Sequence, residues 1–516
     1  MTTFNFLPIS REDMLSRDWY YYDFLLITGD AYVDHPSFGA AVIGRVLESK
    51  GYRVAILSQP NFIDPTDITS MGKPRYAALI TAGNLDSMVA HYTAAKKKRN
   101  DDYYSPGKKA GKRPDRAVTV YSKLVREAYP DLPIIIGGLE ASLRRFAHYD
   151  YWDDKVHRSI LFDSGADLLV YGMGEKAIVE IANRLAKGEN IKDLTNILGT
   201  GYILDESYKS NRIDERHLMP EKSHLKIIQD HNEDYITCPS FEEVSKSKEA
   251  YAIATKIQHE ENDPIRGKTI IQECEGKILV VNPPQKTLTT EELDKTYALS
   301  FTREVHPMYE SLGGVPAIDE VRFSVIHNRG CFGACNFCAL AFHQGKTVAS
   351  RSHESVIKEV EGFVNHLDFK GYVHDVGGPT ANFRKPACKK QSKFGTCIDK
   401  NCLVPPCDNL DVNQVDYLIL LKKVAAIKGV KKVFVRSGIR YDYMLLDKNG
   451  EFFTELVKNH ISGQLKVAPE HITNNVLHCM NKPNVEVYEK FKEKYKRLND
   501  RYNKKQFLVP YLMSSH

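Results

Sequence analysis

Two trains of short apolar runs, separated by stretches with helical spacing, dominate this sequence. Strand alternating with helix restricts a chain to parallel α/β architecture. The first train is DFLLITGD (23–30), RVAILSQP (53–60), YAALITAG (76–83), LPIIIGG (132–138) and ADLLVYGMGE (166–175). FGAAVIGRVLESKGY has helical spacing and meets Gly51 where a C-terminal cap is expected. The runs are apolar throughout, as strands buried on both faces must be, and predict a doubly wound parallel sheet over 1–187. Ligands of such sheets bind at strand C-terminal ends, in this chain TGDAYVDHP, TAGN, IGGLEAS and YGMGE. A basic insertion, 94–116, interrupts the domain. Its charge would suit a phosphate or nucleic-acid contact, but dense Lys, Arg, Pro and Gly read more plainly as a solvated loop.

Between 188 and 315 the alternation weakens. TGYILDES and KILVVNPPQ read as strands. SFEEVSKSKEAYAIATKIQHEEN reads as a helix with Ser240 as N-cap and Glu243 three residues on. This stretch is expected to be a connecting module. The second train is VRFSVIHNRG (321–330), KGYVHDVGGP (370–379), KKVFVRSGIRYD (431–442), QLKVAPEH (464–471) and QFLVPYLMSSH (506–516). Amphipathic helices lie between; one carries Val356, Ile357, Val360, Phe363, Val364 and Leu367 on a single stripe. Five βα steps in one direction predict a complete or partial barrel over 316–516, with its chemistry at the C-terminal ends of the strands.

The sequence holds ten cysteines, and seven fall between Cys331 and Cys407. The N-terminus is polar with no signal-peptide core, and no run of about eighteen apolar residues occurs, so a cytoplasmic protein with reduced thiols and no membrane span is expected. A net charge of +5 is too slight to imply nucleic acid. Clustered reduced cysteines point to metal or redox chemistry. Cys331, Cys335 and Cys338, in CFGACNFC, follow a strand directly, and Gly330 and Gly333 let the loop curl tightly. Zinc sites usually pair close cysteines with a second pair elsewhere. A tight run of three suits an iron–sulfur cubane with one iron left open to a small molecule. Zinc with His327 or His343 as fourth ligand is the competing reading.

C-x3-C-x2-C after the first strand of a βα barrel, with Phe337 before the last cysteine, resembles the radical S-adenosylmethionine (SAM) enzymes. The whole chain is similar to the YgiQ-type radical SAM proteins, a family of uncharacterised function, through RDWYYYDFLLITGDAYVDHPSFG, CFGACNFCAL and a cysteine-rich insertion after GGPTANF. The resemblance implies an enzyme with a 4Fe–4S cluster on Cys331, Cys335 and Cys338 and SAM on its open iron. SAM would be cleaved reductively to methionine and a 5′-deoxyadenosyl radical acting on an unknown substrate. An electron donor such as flavodoxin or ferredoxin would be a partner. SAM contacts are implied at Phe337, at Gly377, Gly378, Pro379 and Thr380 of GGPT, at Arg436 and Ser437, and at Glu470. Pro379 stands where the superfamily often has an acidic residue, which leaves backbone carbonyls to hold the SAM amino group. Family members usually continue past the fifth strand, so a sixth βα unit is expected to be missing.

A second set, Cys388, Cys397, Cys402 and Cys407, falls in an insertion at 386–410. Four close thiolates are costly without a metal. A second iron–sulfur cluster and a zinc ion both satisfy them; a loop of reduced thiols is the plain alternative. A doubly wound domain before such a barrel also resembles the cobalamin-binding domains of some radical SAM methylases, with His35 as lower cobalt ligand. Asp34 and His35 are adjacent and Gly39 lies four beyond, a departure from the usual Asp-x-His-x-x-Gly that argues against cobalamin. Two other functions stay open: a cobalamin-dependent methylase, and a non-catalytic metal-stabilised protein binding RNA through the basic insertion.

Overall fold

Phe24–Thr28 (β1) is buried at every residue because a strand pairs with it in parallel on each side, Val54–Ser58 (β2) and Ala77–Thr81 (β3). The computed structural model describes residues 6–204 and 235–514. Within the first of two units, formed by residues up to 286 and 299–318, Ile134–Ile136 (β4) and Leu168–Val170 (β5) continue the parallel order β2-β1-β3-β4-β5. The order reverses between β1 and β3, the switch point at which such sheets open a ligand crevice.

The stretch expected as a connecting module extends this same sheet. Thr200–Leu204 (β6) pairs antiparallel with β5, and Tyr235–Cys238 (β7), Thr269–Cys274 (β8) and Lys277–Val281 (β9) complete nine strands in the order β2-β1-β3-β4-β5-β6-β9-β8-β7. Antiparallel strands tolerate exposed positions such as Glu273, which breaks up the apolar run that marks a parallel strand. The predicted helix is two helices, Phe241–Lys246 and Lys248–Glu260, because Ser247 is extended and caps the second. Ser240 and Glu243 form the capping box at the start of the first.

The switch-point crevice is filled from within by the 94–116 insertion. The Tyr104 carbonyl accepts from the Ala31 N–H (2.9 Å), and the Ser105 hydroxyl accepts from Gln59 Nε2 (2.6 Å). Arg113 is fully buried; it pairs with Asp30 (2.9 Å) and Asp102 (2.8 Å) and donates to the Ala82 carbonyl (3.1 Å). The insertion is therefore exposed over 94–101 and 107–112, where its lysines lie, and anchored in the core at Asp102, Ser105, Pro106, Arg113 and Pro114.

The second unit comprises 287–298 and the chain from 319 onward. Ser324–Ile326 (β10) pairs in parallel with Asp375–Gly377 (β12), Tyr372–Val373 (β11) with Lys432–Val433 (β13), and Gln464–Glu470 (β14) with Phe507–Leu512 (β15). Bonds from Phe434 N to the Val373 carbonyl (2.9 Å) and from Val376 N to the Phe434 carbonyl (3.1 Å) carry β11–β13 pairing onward. Val356, Val360 and Phe363 of helix His353–Val364, Leu420 and Leu421 of Val415–Ala425, and Phe491 of Val485–Arg501 pack with Val325, Val376 and Val467 of the strands. This is the partial βα barrel expected from the second train. Among the described residues no helix is long and apolar enough to cross a membrane.

Arg113→Met would leave two carboxylates buried without their cation. It is expected to cost about 3–5 kcal/mol in urea denaturation, whereas Lys97→Ala, at an exposed position, should stay within about 0.5 kcal/mol of the parent.

Candidate metal centre

β10 runs directly into His327, Asn328 and the cysteine loop. His327 is fully buried, with Nε2 on the Ala381 carbonyl (2.9 Å), Nδ1 beside the Arg384 guanidinium (3.3 Å) and its ring against Tyr417. Burial, then Arg384, holds its pKa well below the ordinary value. Both ring nitrogens are thus engaged in the barrel interior, which removes His327 as a fourth metal ligand. Asn328 Nδ2 donates to the Thr380 (3.1 Å) and Phe383 (2.7 Å) carbonyls and so ties the loop to GGPTANF. Gly330, at φ +80°, passes the Thr347 carbonyl so closely that a Cβ would meet its oxygen at 2.1 Å.

Phe332, between the first two cysteines, stacks on Phe383 with centroids 3.7 Å apart, and Tyr443 meets both edge-on. The other side of the loop is held by the segment after helix Asn474–Cys479. Asn336 N donates to the Met480 carbonyl (3.1 Å), Asn336 Nδ2 to the Cys479 carbonyl (2.8 Å), and Asn481 Nδ2 to the Ala334 carbonyl (2.7 Å).

Donors converge on the sulfurs. Thr380 Oγ1 lies 3.3 Å from Cys331 Sγ, Gly333 N–H donates to the same sulfur (3.4 Å), and Arg440 Nη1 donates to Cys335 Sγ (3.3 Å). Cys338 follows with its N–H on the Cys335 carbonyl (3.1 Å). Arg440 is buried, and its remaining nitrogens grip Asp442 at 2.8 and 2.5 Å. Burial pushes the Cys331 thiol up, against the pull of Thr380, Arg440 and the Gly333 N–H. Such donors favour the thiolate, the form that binds metal.

The glycine pair is required by close packing. A Cβ on Gly377 would meet Ser437 Oγ at 2.0 Å, and one on Gly378 would meet Asn328 Oδ1 at 1.7 Å. Asp375 accepts from Arg436 N (2.8 Å), Ser437 N (3.2 Å) and the Ser437 hydroxyl, and Gly378 N donates to Ser437 Oγ (3.3 Å). Ser437 is therefore locked beside the glycines. Arg436 joins this network by its backbone, while its exposed guanidinium extends toward Glu320 (3.7 Å). Pro379 is half-buried in the turn between Gly378 and Thr380, and Phe337 is half-buried beside Cys338.

Glu470 ends β14 at φ +71°, a left-handed conformation uncommon for a side chain of this kind. Its Oε2 is buried with no hydrogen-bond partner among the described residues, and Lys482 Nζ lies 3.9 Å from Oε1. Burial pushes the Glu470 carboxyl up and the Lys482 ammonium down. The strand ends therefore carry three thiols, a glycine pair, two hydroxyls and an orphaned carboxylate oxygen. Three sulfur donors suit an iron–sulfur cluster, and the orphaned oxygen suits a cationic group such as the SAM ammonium. Arg440, Asp442, Asn328, Asn481 and Lys482 are parts of this site that the sequence reading did not single out. Only the proximity of Arg440 and Asp442 to SG in VRSGIRYD could have flagged any of them.

The downstream cysteines also gather. Burial and then the neighbouring Cys388, Cys397 and Cys407 push the Cys402 thiol up to about 11. Among the described residues, the one group of three metal-ligand atoms within 4.8 Å of one another is Asp150, Asp153 and His157; the sulfurs of neither cysteine set are drawn that close. Arg116 already neutralises Asp150 (3.1 Å) and Asp153 (2.7 Å). In the first unit His35 is 1% exposed, with Nδ1 accepting from Ser37 N (3.1 Å) and Nε2 facing Arg303 (3.2 Å). Asp34 is held by Arg45 (3.1 Å) and Thr302 N (2.9 Å).

A family model described as Radical SAM N-terminal matches residues 6–324. The chain belongs to this family. It is thereby a radical SAM enzyme whose specific reaction is open, and the match stops before Cys331. The radical SAM chain is also similar to a UPF0313 protein of Clostridium botulinum (strain 657 / Type Ba4), at 56% identity over 100% of this chain and 78% of that protein. A UPF0313 protein of Clostridium perfringens (strain ATCC 13124) is 52% identical over 100% of this chain and 75% of its own length. Among solved structures, the radical S-adenosylmethionine methyltransferase TsrM from Kitasatospora setae, with cobalamin and a [4Fe-4S] cluster bound, aligns at a TM-score of 0.48 and 13% identity, covering 95% of this chain and 66% of that one.

Arg440→Met should destabilise the protein by about 3–5 kcal/mol in anaerobic chemical denaturation, because Asp442 stays buried without its cation. Adding Asp442→Leu should recover part of that loss, as a double-mutant cycle will measure.

Proposed function

We propose that this chain reductively cleaves SAM at a 4Fe–4S cluster held by Cys331, Cys335 and Cys338 and directs the resulting 5′-deoxyadenosyl radical at a substrate of unknown identity. It would work in the cytoplasm, with a small electron carrier such as flavodoxin or ferredoxin as reductant. The observation that carries this reading is the set of donors on the Cys331 and Cys335 sulfurs, in a three-cysteine loop at strand ends that also carry the orphaned carboxylate oxygen of Glu470. The bound cluster would supply the electron for SAM cleavage.

The protein's own residues bind and orient. Arg440 and Thr380 donate toward sulfur, and such hydrogen bonds raise a cluster's potential. Glu470 offers the SAM amino group an acceptor, a role that Pro379 cannot fill, while Gly377 and Gly378 let backbone carbonyls approach. Ser437, locked by Asp375, is the contact assigned to the SAM carboxylate or ribose; Arg436 would contribute through its backbone. Phe337 sits beside the last cysteine, and the Phe332–Phe383–Tyr443 cluster keeps water from the loop.

Anaerobically reconstituted protein given dithionite and SAM is expected to yield 5′-deoxyadenosine and methionine, and Cys331→Ala to yield none. Absence of 5′-deoxyadenosine from fully loaded, full-length protein would overturn the reading. Because burial raises the Glu470 pKa, its ionised form costs stability as pH rises above the ordinary carboxylate range. Glu470→Gln should therefore keep or raise Tm at neutral pH and keep its iron, yet bind SAM roughly ten- to a hundredfold more weakly by anaerobic equilibrium dialysis.

The residues present do not fit cobalamin. His35 is engaged by Ser37 and Arg303, and the switch-point crevice holds Tyr104, Ser105 and Arg113. Protein mixed with hydroxocobalamin and desalted should emerge without its absorbance; stoichiometric co-elution would restore the methylase reading. RNA binding through the basic insertion would rest on its exposed lysines alone, since Arg113 is committed to Asp30 and Asp102.

A further inference from the structure

The insertion at 386–410 keeps a defined path almost without a core. Between 388 and 410 the buried residues are Gln391, Gly395 and Leu403, and Phe394 and Ile398 are each 56% exposed. Leu403, with Ala387 at the start of the insertion and Val404 and Leu410 only half-buried beside it, offers little to offset the entropy of ordering a segment of this length. Segments that stay ordered without a core are ordinarily stapled by disulfides or by a metal. All four cysteines of the insertion are free thiols.

Their placement is that of a staple. Cys388 stands at the start of helix Lys389–Phe394. Cys402 and Cys407 close a turn through Cys407 N on the Cys402 carbonyl (3.0 Å), and Asp411 N on the Ala387 carbonyl (2.8 Å) ties the two ends of the insertion together. Cys388, Cys397 and Cys407 are all close enough to act electrostatically on Cys402.

The insertion is also fastened to the loop of the first cysteine set. Leu403 packs into the cluster of Phe332, Phe383 and Tyr443, on which both Cys331 and Cys402 border. Asn401 Nδ2 donates to Asn481 Oδ1 (2.9 Å), and Asn481 Nδ2 donates on to the Ala334 carbonyl (2.7 Å) between Cys331 and Cys335. Gln391 Nε2 donates to the Lys346 carbonyl (3.0 Å) beyond Cys338.

We propose that Cys388, Cys397, Cys402 and Cys407 hold a second thiolate metal centre, an iron–sulfur cluster or a zinc ion, which staples the insertion and fixes the loop of Cys331, Cys335 and Cys338. Thiolates select these metals. Metal entry displaces the four thiol protons to solvent, with no redox step for zinc and with iron and sulfide delivered together for a cluster. For zinc, the four sulfurs must close from their present spread to share one ion. The site needs only four reduced thiols, so it stands or falls apart from SAM cleavage.

The test uses the full chain carrying Cys331→Ala, Cys335→Ala and Cys338→Ala, purified anaerobically and exposed to zinc, or to iron with sulfide. Metal and acid-labile sulfide analysis is expected to find a retained centre: zinc equimolar with protein and no sulfide, or iron with matching sulfide. Adding Cys397→Ala and Cys402→Ala should abolish it and speed tryptic cleavage within 386–410 roughly tenfold. A triple variant that retains no metal under either condition overturns the proposal. If circular dichroism shows that variant unfolded, otherwise wild-type protein with Cys397→Ala and Cys402→Ala decides: metal content equal to the parent overturns the proposal, and loss of one centre supports it.

Discussion

The guanidinium of Arg440 is the point on which the site hangs. One nitrogen donates to Cys335 Sγ, the others hold Asp442, and the residue's backbone is clasped on both sides by the Asn382 side chain of GGPTANF. The cysteine loop, the end of the second barrel strand and the end of the third therefore meet at a single buried cation. A buried charge is tolerable only when every neighbour answers it, so the loop is not free to drift from the strand ends. The Cys335 sulfur owes its placement to that requirement as much as to its spacing in sequence.

Glu470 is the opposite kind of feature. Its backbone is held in the left-handed region and one carboxylate oxygen is buried without a hydrogen-bond partner among the described residues, and both cost folding energy. Val467, three residues earlier, is an ordinary buried strand residue, and the register of β14 on β15 shifts between the two. A carboxylate kept in this state beside thiols and glycines fits a site that becomes complete only with its ligand. The second cysteine set raises the same issue at larger scale, since the insertion that carries it has one buried leucine and four thiols.

Much of the fold was legible because the physics is local. Apolar runs of strand length and helices with one apolar stripe announce themselves within a dozen residues, and each of the ten runs contains a strand. The 188–286 region was harder. Its strands pair mostly antiparallel, with exposed positions such as Glu273, so the sequence resembles a linker although it finishes the sheet. The basic insertion misled in the same way: Arg113 looks like one more solvated cation until Asp30, from the end of the first strand, and Asp102, from the insertion itself, close around it.

By itself the sequence determined the two α/β units and the cysteine triplet at a strand end, because these rest on short-range spacing and residue chemistry; the radical SAM character came from resemblance to a known family. Only the tertiary structure decided which long-range partners those residues meet. It committed His327 to Ala381 and Arg384, filled the switch-point crevice with Arg113, and set Arg440 against Cys335. Burial and ion pairing depend on segments far apart in the chain arriving at one place, and no local pattern encodes that meeting.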